Sequence, residues 1–401
     1  MKKNVVLYSF AMILGVQSLF GIGKNIQEEE NLLKIGTSFY IAKGEDVNVS
    51  CNLEIVNNVL FQNFGRLSFS SPFDYQINLP SLNLTSSEFI FKGSKDCELT
   101  ISGEGLLLGK LSVGMQGAGV FLNGNLVIQD SLKLTTGTIN VSNESQLLIE
   151  NTGTDAIRFN NSPINQGYVV GFLTRSILAG KSYVFPLGDA TGYHPFLVDK
   201  ADKADVLSVA FDSSVPDECD SYNPTPVRMI ENSIGWRVES ESIDRNQFFP
   251  GLSVYNSSLA DKVSQLEIYY LSDLDLKGTI TASNRSNMLK SAMADDFVMS
   301  SEMKSYGLYA FSQVFGKDLI NFIYVGADNQ TRFEVPSSGD FSNIRLNVYN
   351  RLGGLVFKGD HYGNEFDARD YPDGTYFYEL TLEKDSKRSF IRNFIEIKHE
   401  K

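Results

Sequence analysis

Residues 125–150 read "NLVIQDSLKLTTGTINVSNESQLLIE", and this stretch decides the fold class of the first half of the chain. Apolar residues stand in pairs, one residue apart, and polar or glycine-containing segments such as "TTGT" and "SNES" separate the pairs. The pairs are Leu126 with Ile128, Leu132 with Leu134, Ile139 with Val141, and Leu147 with Ile149. An apolar residue at every second position is the period of a half-buried strand. The stretch therefore predicts very short strands joined by frequent turns.

Strands this short suit a β-solenoid or a stack of hairpins, because the steps recur every six to eight residues. A conventional β-sandwich is the alternative, although its turns should recur at roughly 8–12 residues. We predict a β-solenoid-like region over residues 23–165, in which 31–84 follow the pattern less regularly.

The pattern changes near residue 166, where the apolar runs become longer and glycine-containing turns join them. These runs include "GYVVGFLTRSI" (167–177), "GKSYVFPLGD" (180–189), "GYHPFLV" (192–198), "VLSVAFD" (206–212), "QLEIYYL" (265–271) and "YGLYAFSQ" (306–313). We predict an antiparallel β-sandwich-like module over residues 166–318, in which the stretch 285–303 could hold a short helix.

The final module, residues 319–401, is predicted to be a small β-sandwich, so that the whole chain is all-β. "IRLNVYN" (344–350) places Ile344, Leu346 and Val348 on one face of a strand. "TYFYELTL" (375–382) alternates in the same way, with Phe377 on the face opposite its other aromatic residues, and 390–398 form a last strand.

The first 22 residues are predicted to be a secretory signal peptide. "MKKN" supplies a basic start and "VVLYSFAMILGVQSLF" an apolar segment, with small residues nearby for cleavage. The alternative, a membrane anchor, is disfavoured because the apolar run is short and lacks a basic flank. No later run is apolar enough to predict a transmembrane helix in the mature chain.

The charge and the cysteine content limit the classes of partner. A net charge of -13 disfavours nucleic acid as a partner, because phosphate binding depends on clustered Lys and Arg. The chain has three cysteines, Cys51, Cys97 and Cys219, and an odd number leaves at least one thiol unpaired within the chain. We expect three buried thiols, while a bond between Cys51 and Cys97 stays open.

The C-terminal module carries an ordered set of motifs. It reads "NRLG" (350–353), then Val356 and Phe357, then Tyr362, Asn364, Phe366 and Asp367, and finally "PDGTYFY" (372–378). In order, spacing and position the set resembles the gliding motility-associated C-terminal domain of exported Bacteroidetes proteins, the type B sorting signal of the type IX secretion system. The resemblance implies that the sorting motif comprises Asn350, Arg351, Gly353, Asn364, Asp367, Pro372, Asp373, Gly374, Thr375 and Tyr376.

Two positions depart from the family pattern. Leu352 stands where the family has Trp, and the family's glycine- and aspartate-rich entry loop is reduced to Asp328 and Asn329. The resemblance implies export to the cell surface or medium, with the type IX machinery of the outer membrane as a partner. Upstream, "YVVGFLTR" and "GKSYVFPLGDATGYHPF" (168–196) are similar to an element that follows solenoid-like repeats in such surface proteins.

No motif predicts catalysis, a cofactor or a metal site. His194, His361 and His399 lie in three unrelated contexts without zinc-ligand spacing. Ser301 and Lys304 match "SxxK" but lack the accompanying motifs. Asp273 and Asp275 would share one face of a strand, where an acid–base or calcium role is the minority interpretation.

We therefore expect an exported, non-catalytic surface protein, adhesin-like or structural, with a surface polysaccharide or a protein as its ligand. Two alternatives stay open. One is a secreted enzyme acting on polysaccharide, which a groove with clustered carboxylates and exposed aromatic rings would favour. The other is a component of the motility or cell-envelope apparatus, which co-purification with envelope complexes would support.

Overall fold

The computed structural model describes most of the chain. The described residues are 4–7, 26–29, 32–36, 39–56, 60–160, 166–212, 220–221, 227–240, 242, 246–254, 266–272, 287–289, 291–294, 297–315, 319, 322–326, 331–335, 338–384 and 387–400. The predicted signal peptide lies outside these residues except for Asn4–Leu7, which form strand β1.

The described residues form strands and two 3-10 turns, Ser338–Asp340 and Ala368–Asp370, and none of them lies in an α-helix. The first strands are β1 (Asn4–Leu7), β2 (Ile26–Glu29), β3 (Leu32–Ile35), β4 (Phe39–Ile41), β5 (Asp46–Val49), β6 (Asn52–Ile55), β7 (Phe61–Asn63), β8 (Arg66–Phe69), β9 (Tyr75–Leu79), β10 (Leu82–Gly93), β11 (Cys97–Ile101), β12 (Leu106–Asn123), β13 (Asn125–Val141), β14 (Gln146–Ile149), β15 (Ile157–Phe159), β16 (Gly167–Val170) and β17 (Leu173–Ile177). They are followed by β18 (Tyr183–Phe185), β19 (Gly188–Asp189), β20 (Gly192–Tyr193), β21 (Phe196–Asp199), β22 (Asp205–Phe211), β23 (Asp220–Ser221), β24 (Val227–Ser240), β25 (Phe249–Ser253), β26 (Leu266–Ser272), β27 (Asn287–Leu289), β28 (Ser291–Ala294), β29 (Phe297–Ser300) and β30 (Gly307–Phe315). The last strands are β31 (Phe322–Val325), β32 (Asn343–Tyr349), β33 (Leu355–Gly359), β34 (Gly374–Lys384) and β35 (Lys387–His399).

The chain divides into two compact units. The first comprises Met1–Phe211, Val238–Ser257 and Met303–Tyr306, and the second comprises Asp212–Arg237, Ser258–Glu302 and Gly307–Lys401. The boundaries predicted from the sequence, after residues 22, 165 and 318, stay predictions.

The first unit contains a β-solenoid of about six turns, which confirms the predicted fold class. Successive coils contribute short strands to three parallel ladders. Ladder A comprises 46–49, 66–69, 88–91, 110–113, 131–134 and 157–159. Ladder B comprises 32–35, 52–55, 75–79, 97–101, 119–123, 138–141 and 167–170. Ladder C comprises 82–84, 106–108, 126–128, 147–149 and 173–175.

Three steps of the sequence pattern make one coil. Leu126 of ladder C lies beside Leu147, and the pairs between them belong to ladders A and B. On ladder A, Glu88 lies beside Arg66 and Lys110 beside Glu88, so that one coil takes about 22 residues. The irregular spacing of six to eight residues therefore reflects three strands and three turns per coil.

The register stacks like side chains in columns through the interior of the solenoid. One column of ladder A joins Val47, Leu67, Phe89, Leu111, Leu132 and Ile157, all of them buried. In the neighbouring column, the rings of Phe69 and Phe91 stack with their centroids 4.9 Å apart. Burial of each such side chain contributes about 1.5–3 kcal/mol relative to exposure, so the interior columns hold the coils together.

The parallel stack continues beyond residue 165. Strand β16 pairs in parallel with β13, and β17 pairs in parallel with β14. Antiparallel pairing begins on the other edge of β17, where Leu173–Ile177 lie against β22. The segment 167–177, assigned from the sequence to an antiparallel module, thus forms the last coil of the solenoid and its transition to antiparallel structure.

Arg175 lies at this transition and is fully buried. Its guanidinium stacks on the ring of Tyr183, 4.4 Å from the centroid, and Nη2 donates to the carbonyl oxygen of Gly153 at 2.9 Å. Burial lowers the pKa of Arg175 to about 10. Because a cation–π contact strengthens when it is desolvated, this side chain can join the coil at Gly153 to the strands that follow the stack.

The rest of the 168–196 element packs on the same end of the solenoid. Tyr183 donates to the carbonyl oxygen of Thr152 and accepts from the amide of Leu178, both at 2.9 Å. A side chain at Gly188 would lie 2.8 Å from the ring of Tyr168, so the glycine permits this close approach. Terminal coils of a solenoid need such a cover, since their inner face has no further coil to pack against.

The second unit contains further antiparallel strands. Strand β26 pairs with β27 and with β30, and Trp236 packs edge-to-face on Phe311 with ring centroids 5.7 Å apart. The expectation of a short helix within 285–303 is wrong, since the described residues there form β27, β28 and β29. Burial alternates along β29, and this tertiary packing outweighs the helix propensity of the nearby Met, Ala and Leu residues.

Within the predicted C-terminal domain, residues 319–401, strands β33, β32, β34 and β35 pair in that order in an antiparallel sheet, and β31 adds to β35 in parallel. One face of the sheet is buried, and its core includes Phe333, Val335, Phe341, Tyr362 and Phe366, which lie outside the strands of the sheet. As predicted, Ile344, Leu346 and Val348 lie on this buried face.

Cys51 and Cys97 are both buried, as expected. Burial raises the pKa of the Cys97 thiol strongly, which makes it unreactive. Cys219 lies outside the described residues.

Replacement of Arg175 tests whether it ties the last coil to its cover. We expect Arg175→Ala to lower the local free energy of unfolding by about 2–4 kcal/mol, because it removes a desolvated cation–π contact and the hydrogen bond from the guanidinium to the carbonyl oxygen of Gly153. Hydrogen exchange in peptides covering 146–185 should accelerate accordingly. Arg158→Ala is the control, since that side chain is 66% exposed on the preceding coil. Equal exchange in the two variants would contradict a tie through Arg175.

Candidate functional site in the C-terminal domain

The first sorting motif residues build the hairpin turn between β32 and β33. The Oδ1 atom of Asn350 accepts from the amides of Leu352 and Gly354 at 3.0 and 2.9 Å. Gly353 has a φ of +81°, in the left-handed region that side chains disfavour. Asn350 and Gly353 therefore fix the turn, and Arg351 is exposed on it.

This turn exposes an apolar tip formed by Leu352 and Leu355. Leu352 is 87% exposed and Leu355 is 53% exposed. Leu352 also occupies the position where the resembled family has Trp. An apolar side chain at such a position contributes little to the folding of the domain, so the tip is a candidate contact for a partner.

Asn364 and Asp367 fix the loop that covers the buried face of the sheet. Asn364 has a φ of +71° and accepts from the amide of Val335 at 3.2 Å. Asp367 caps the 3-10 turn Ala368–Asp370 by accepting from the amide of Arg369 at 3.0 Å. The Arg369 guanidinium also donates to this carboxylate, and Arg332 lies 3.8 Å away. The hydrogen bonds from Arg369 hold the pKa of Asp367 well below its ordinary value.

The "PDGTY" segment ties the start of β34 to the end of β35. Oδ1 of Asp373 accepts from the His399 amide at 2.9 Å and lies 2.6 Å from its Nδ1. This contact with His399 lowers the pKa of Asp373. The Tyr376 hydroxyl donates to the carbonyl oxygen of Pro372 at 3.0 Å. Gly374 begins β34, and Thr375 is exposed one residue later.

The aromatic motif residues form a continuous chain in the core of the domain. Successive ring centroids lie between 4.7 and 6.5 Å apart, within the range of favourable aromatic contacts. The chain runs through Tyr378, Phe333, Tyr362, Phe357, Phe366, Tyr371 and Tyr376. Most of the motif thus specifies the fold of the domain.

The other face of the sheet exposes aromatic side chains. Phe377, predicted to face away from Tyr376 and Tyr378, lies opposite Phe394 in the register, and the two are 49% and 43% exposed. Phe322, on β31, is 48% exposed. Sequence reasoning missed Phe322 and Phe394 as members of this surface, because only the pairing of distant strands brings them to it.

The structure also places the residues considered for chemistry. His194 is buried and stacks on Phe211 with ring centroids 4.3 Å apart, His361 is exposed, and His399 contacts Asp373. Asp273 and Asp275 lie outside the described residues. Within the described part of the chain, no group of His, Cys, Asp and Glu residues is arranged to hold a metal ion. The same residues include no helix long and apolar enough to span a membrane.

Comparison with known protein families gives a match near the C-terminus. Residues 318–397 match the family model described as the CHU_C Type IX secretion signal domain, the C-terminal sorting domain of Bacteroidetes type IX cargo. No curated protein and no solved structure matches the chain. The match confirms the resemblance seen in the sequence. It indicates export to the cell surface or extracellular space and implies interaction with the secretion machinery.

The charge of Asp367 should make the stability of this domain depend on pH. Because its pKa is lower folded than unfolded, its contribution is full well above the unfolded value of 3.8 and is lost as the pH falls below it. Asp367→Asn keeps the cap but loses the ion pair. It should lower the free energy of unfolding by only about 1 kcal/mol at pH 7, because solvent screens the charge of the exposed Arg369. Urea titrations of the two proteins should converge as the pH falls towards about 3.

The exposed Asp360 provides the control, with its side chain 61% exposed beside Lys358. The free energy of unfolding of Asp360→Asn should stay within about 0.5 kcal/mol of that of the unmodified chain at every pH. If Asp367→Asn lowered the free energy of unfolding by the same amount at pH 7 and at pH 3, the electrostatic account would be contradicted.

Proposed function

We propose that this type IX cargo is a non-catalytic, adhesin-like surface protein whose solenoid presents a binding surface. The observation that supports the proposal is the packed interior of the solenoid. Because apolar columns fill the interior, the other side chains of each coil point outward in rows separated by about 4.8 Å, the spacing of neighbouring strands. Such a rigid, regularly spaced surface suits the binding of an extended ligand.

A second candidate, an enzyme acting on polysaccharide, is favoured by one feature. The carboxylates of Asp74, Asp96 and Glu98 line a common cavity on ladder B. Hydrolysis by a carboxylate pair requires one of them to donate a proton to the leaving group. Both oxygens of Glu98 already accept hydrogen bonds from Gln76 and Asn123. This arrangement suits an oriented acceptor better than a proton donor, and so supports binding over catalysis.

For delivery to the surface, we propose that the apolar tip of Leu352 and Leu355 contacts the secretion machinery. The tip is apolar, exposed and held in a fixed turn by Asn350. A rigid apolar projection loses little conformational entropy on binding, which makes it an efficient contact.

Substitution at the tip tests the delivery step. In cells that secrete the chain, we expect Leu352→Asp to reduce the surface-exposed and released fraction severalfold, while Leu352→Trp matches or exceeds the unmodified chain. Phe73→Asp, at a position that is 67% exposed on the solenoid, controls for an added surface charge. Protease accessibility on intact cells measures the exported fraction. Unchanged export of Leu352→Asp would show that the machinery does not use the tip.

The non-catalytic role is tested by following attachment and turnover together. Cells displaying the chain should adhere to polysaccharide-coated surfaces better than cells lacking it. Prolonged incubation of the purified chain with the same polysaccharides should release no new reducing ends or unsaturated products. Product release that Glu98→Gln abolishes would instead establish the enzyme.

A further inference from the structure

The outward face of ladder B carries a cavity of about 650 Å³ that crosses successive coils. Its lining includes the side chains of Gln76, Glu98 and Phe121, which lie beside one another in the register of β9, β11 and β12. They occupy the outward positions between the buried columns, so the cavity is built by the solenoid repeat itself. Its walls therefore share the rigidity of the stack.

Phe121 is the unusual member of this row. It is 43% exposed, whereas its row neighbours Asn52, Gln76, Glu98 and Asn140 are polar. An exposed phenyl ring at an outward strand position gains little from folding. Its electron-rich face can instead attract the polarised C–H groups of a ligand that lies flat upon it.

The polar groups beside the ring are held in fixed orientations. Oε2 of Glu98 accepts from Nε2 of Gln76 at 3.1 Å, and Oε1 accepts from Nδ2 of Asn123 at 3.2 Å. Oδ1 of Asp96 accepts from the amide of Gly119 at 2.8 Å. A carboxylate accepts up to four hydrogen bonds, so these groups keep acceptor capacity towards the cavity, and the amides keep further donors.

Together these features define the chemistry of the ligand. An apolar ring beside a row of carboxylate and amide groups matches a molecule with C–H groups on one face and hydroxyl groups at its edge. Carboxylates accept from hydroxyl groups but repel anions, and the lining contains Asp74, Asp96 and Glu98 without a Lys or Arg. A sulfated or uronate-rich polymer is therefore disfavoured.

We infer that this cavity is a binding site for a neutral polysaccharide, with Phe121 as the stacking platform and Glu98 as the oriented acceptor. The inference deepens the proposed adhesive function and rests on it, since it names the class of ligand that the solenoid binds. The ordered row along the stack suits a polymer, because neighbouring coils can contact neighbouring sugar units.

Affinity electrophoresis of the purified mature chain tests the inference. The probes are gels containing hydroxyethylcellulose, glucomannan or dextran as neutral polymers, with alginate as the anionic comparison. We expect retardation by at least one neutral polymer and none by alginate. Phe121→Ala should weaken the binding about tenfold, Phe121→Tyr should retain it, and Glu98→Gln should weaken it.

Phe64→Ala is the matched control, because Phe64 is 42% exposed but lies outside the cavity, against Tyr40. Retardation unchanged in Phe121→Ala, or reduced equally in Phe64→Ala, would overturn the inference, as would stronger retardation by alginate. If none of the neutral polymers retards the chain while cells displaying it still adhere, the inference fails and the adhesive function stands. If the neutral polymers retard the chain but cells gain no adhesion, the site stands and the adhesive function fails.

Discussion

The first unit depends on one constraint: an apolar side chain in a solenoid is buried only when another coil lies on each side of it. Inner coils meet this condition through register, which stacks Leu67, Phe89 and Leu111 in one column. At the last coil described, the segment that follows residue 177 packs on the stack, and the Tyr183 hydroxyl donates to the carbonyl oxygen of Thr152. Burial of an arginine between two aromatic rings and a backbone carbonyl costs desolvation free energy, but the contacts of the guanidinium fix the direction of the strand that carries it. Direction matters here because parallel pairing must change to antiparallel pairing at this point.

Much of the fold followed from the sequence because its signals are local. The paired apolar steps between Leu126 and Ile149 fix both the strand period and the turns, and the structure places each pair on a successive ladder. What could not be predicted depends on distant pairing. The end of the parallel stack falls after residue 165 because β17 has a parallel partner on one edge and an antiparallel partner on the other. The strands at 287–300 follow from neighbouring strands that outweigh local helix propensity.

In the candidate site, too, the roles that depend on local sequence could be predicted, whereas those that depend on distant pairing could not. Asn350 and Gly353 form a turn, and Tyr376 and Tyr378 alternate towards a core, so their structural roles can be read from type and position. The roles of Asp367 and Asp373 needed the structure, since the partner of Asp373 is His399 on another strand. The cavity beside Phe121 was equally hidden, because Gln76, Glu98 and Phe121 meet only through the register of three coils. Motif residues that specify the domain's fold are thus distinct from the exposed residues available to partners.

The repeat also sets how a chain of this kind can change in length. A gain or loss of about 22 residues inserts or removes one whole coil, and leaves the inward and outward positions of every other coil unchanged. A gain or loss of a single residue within a strand would instead move the apolar residues that follow it in that strand to the outer face. Evolution can therefore lengthen the displayed surface in discrete increments of roughly 4.8 Å. The segment that packs on the last coil and the secretion domain need not change when a coil is added. The length of the solenoid can therefore change independently of the rest of the chain.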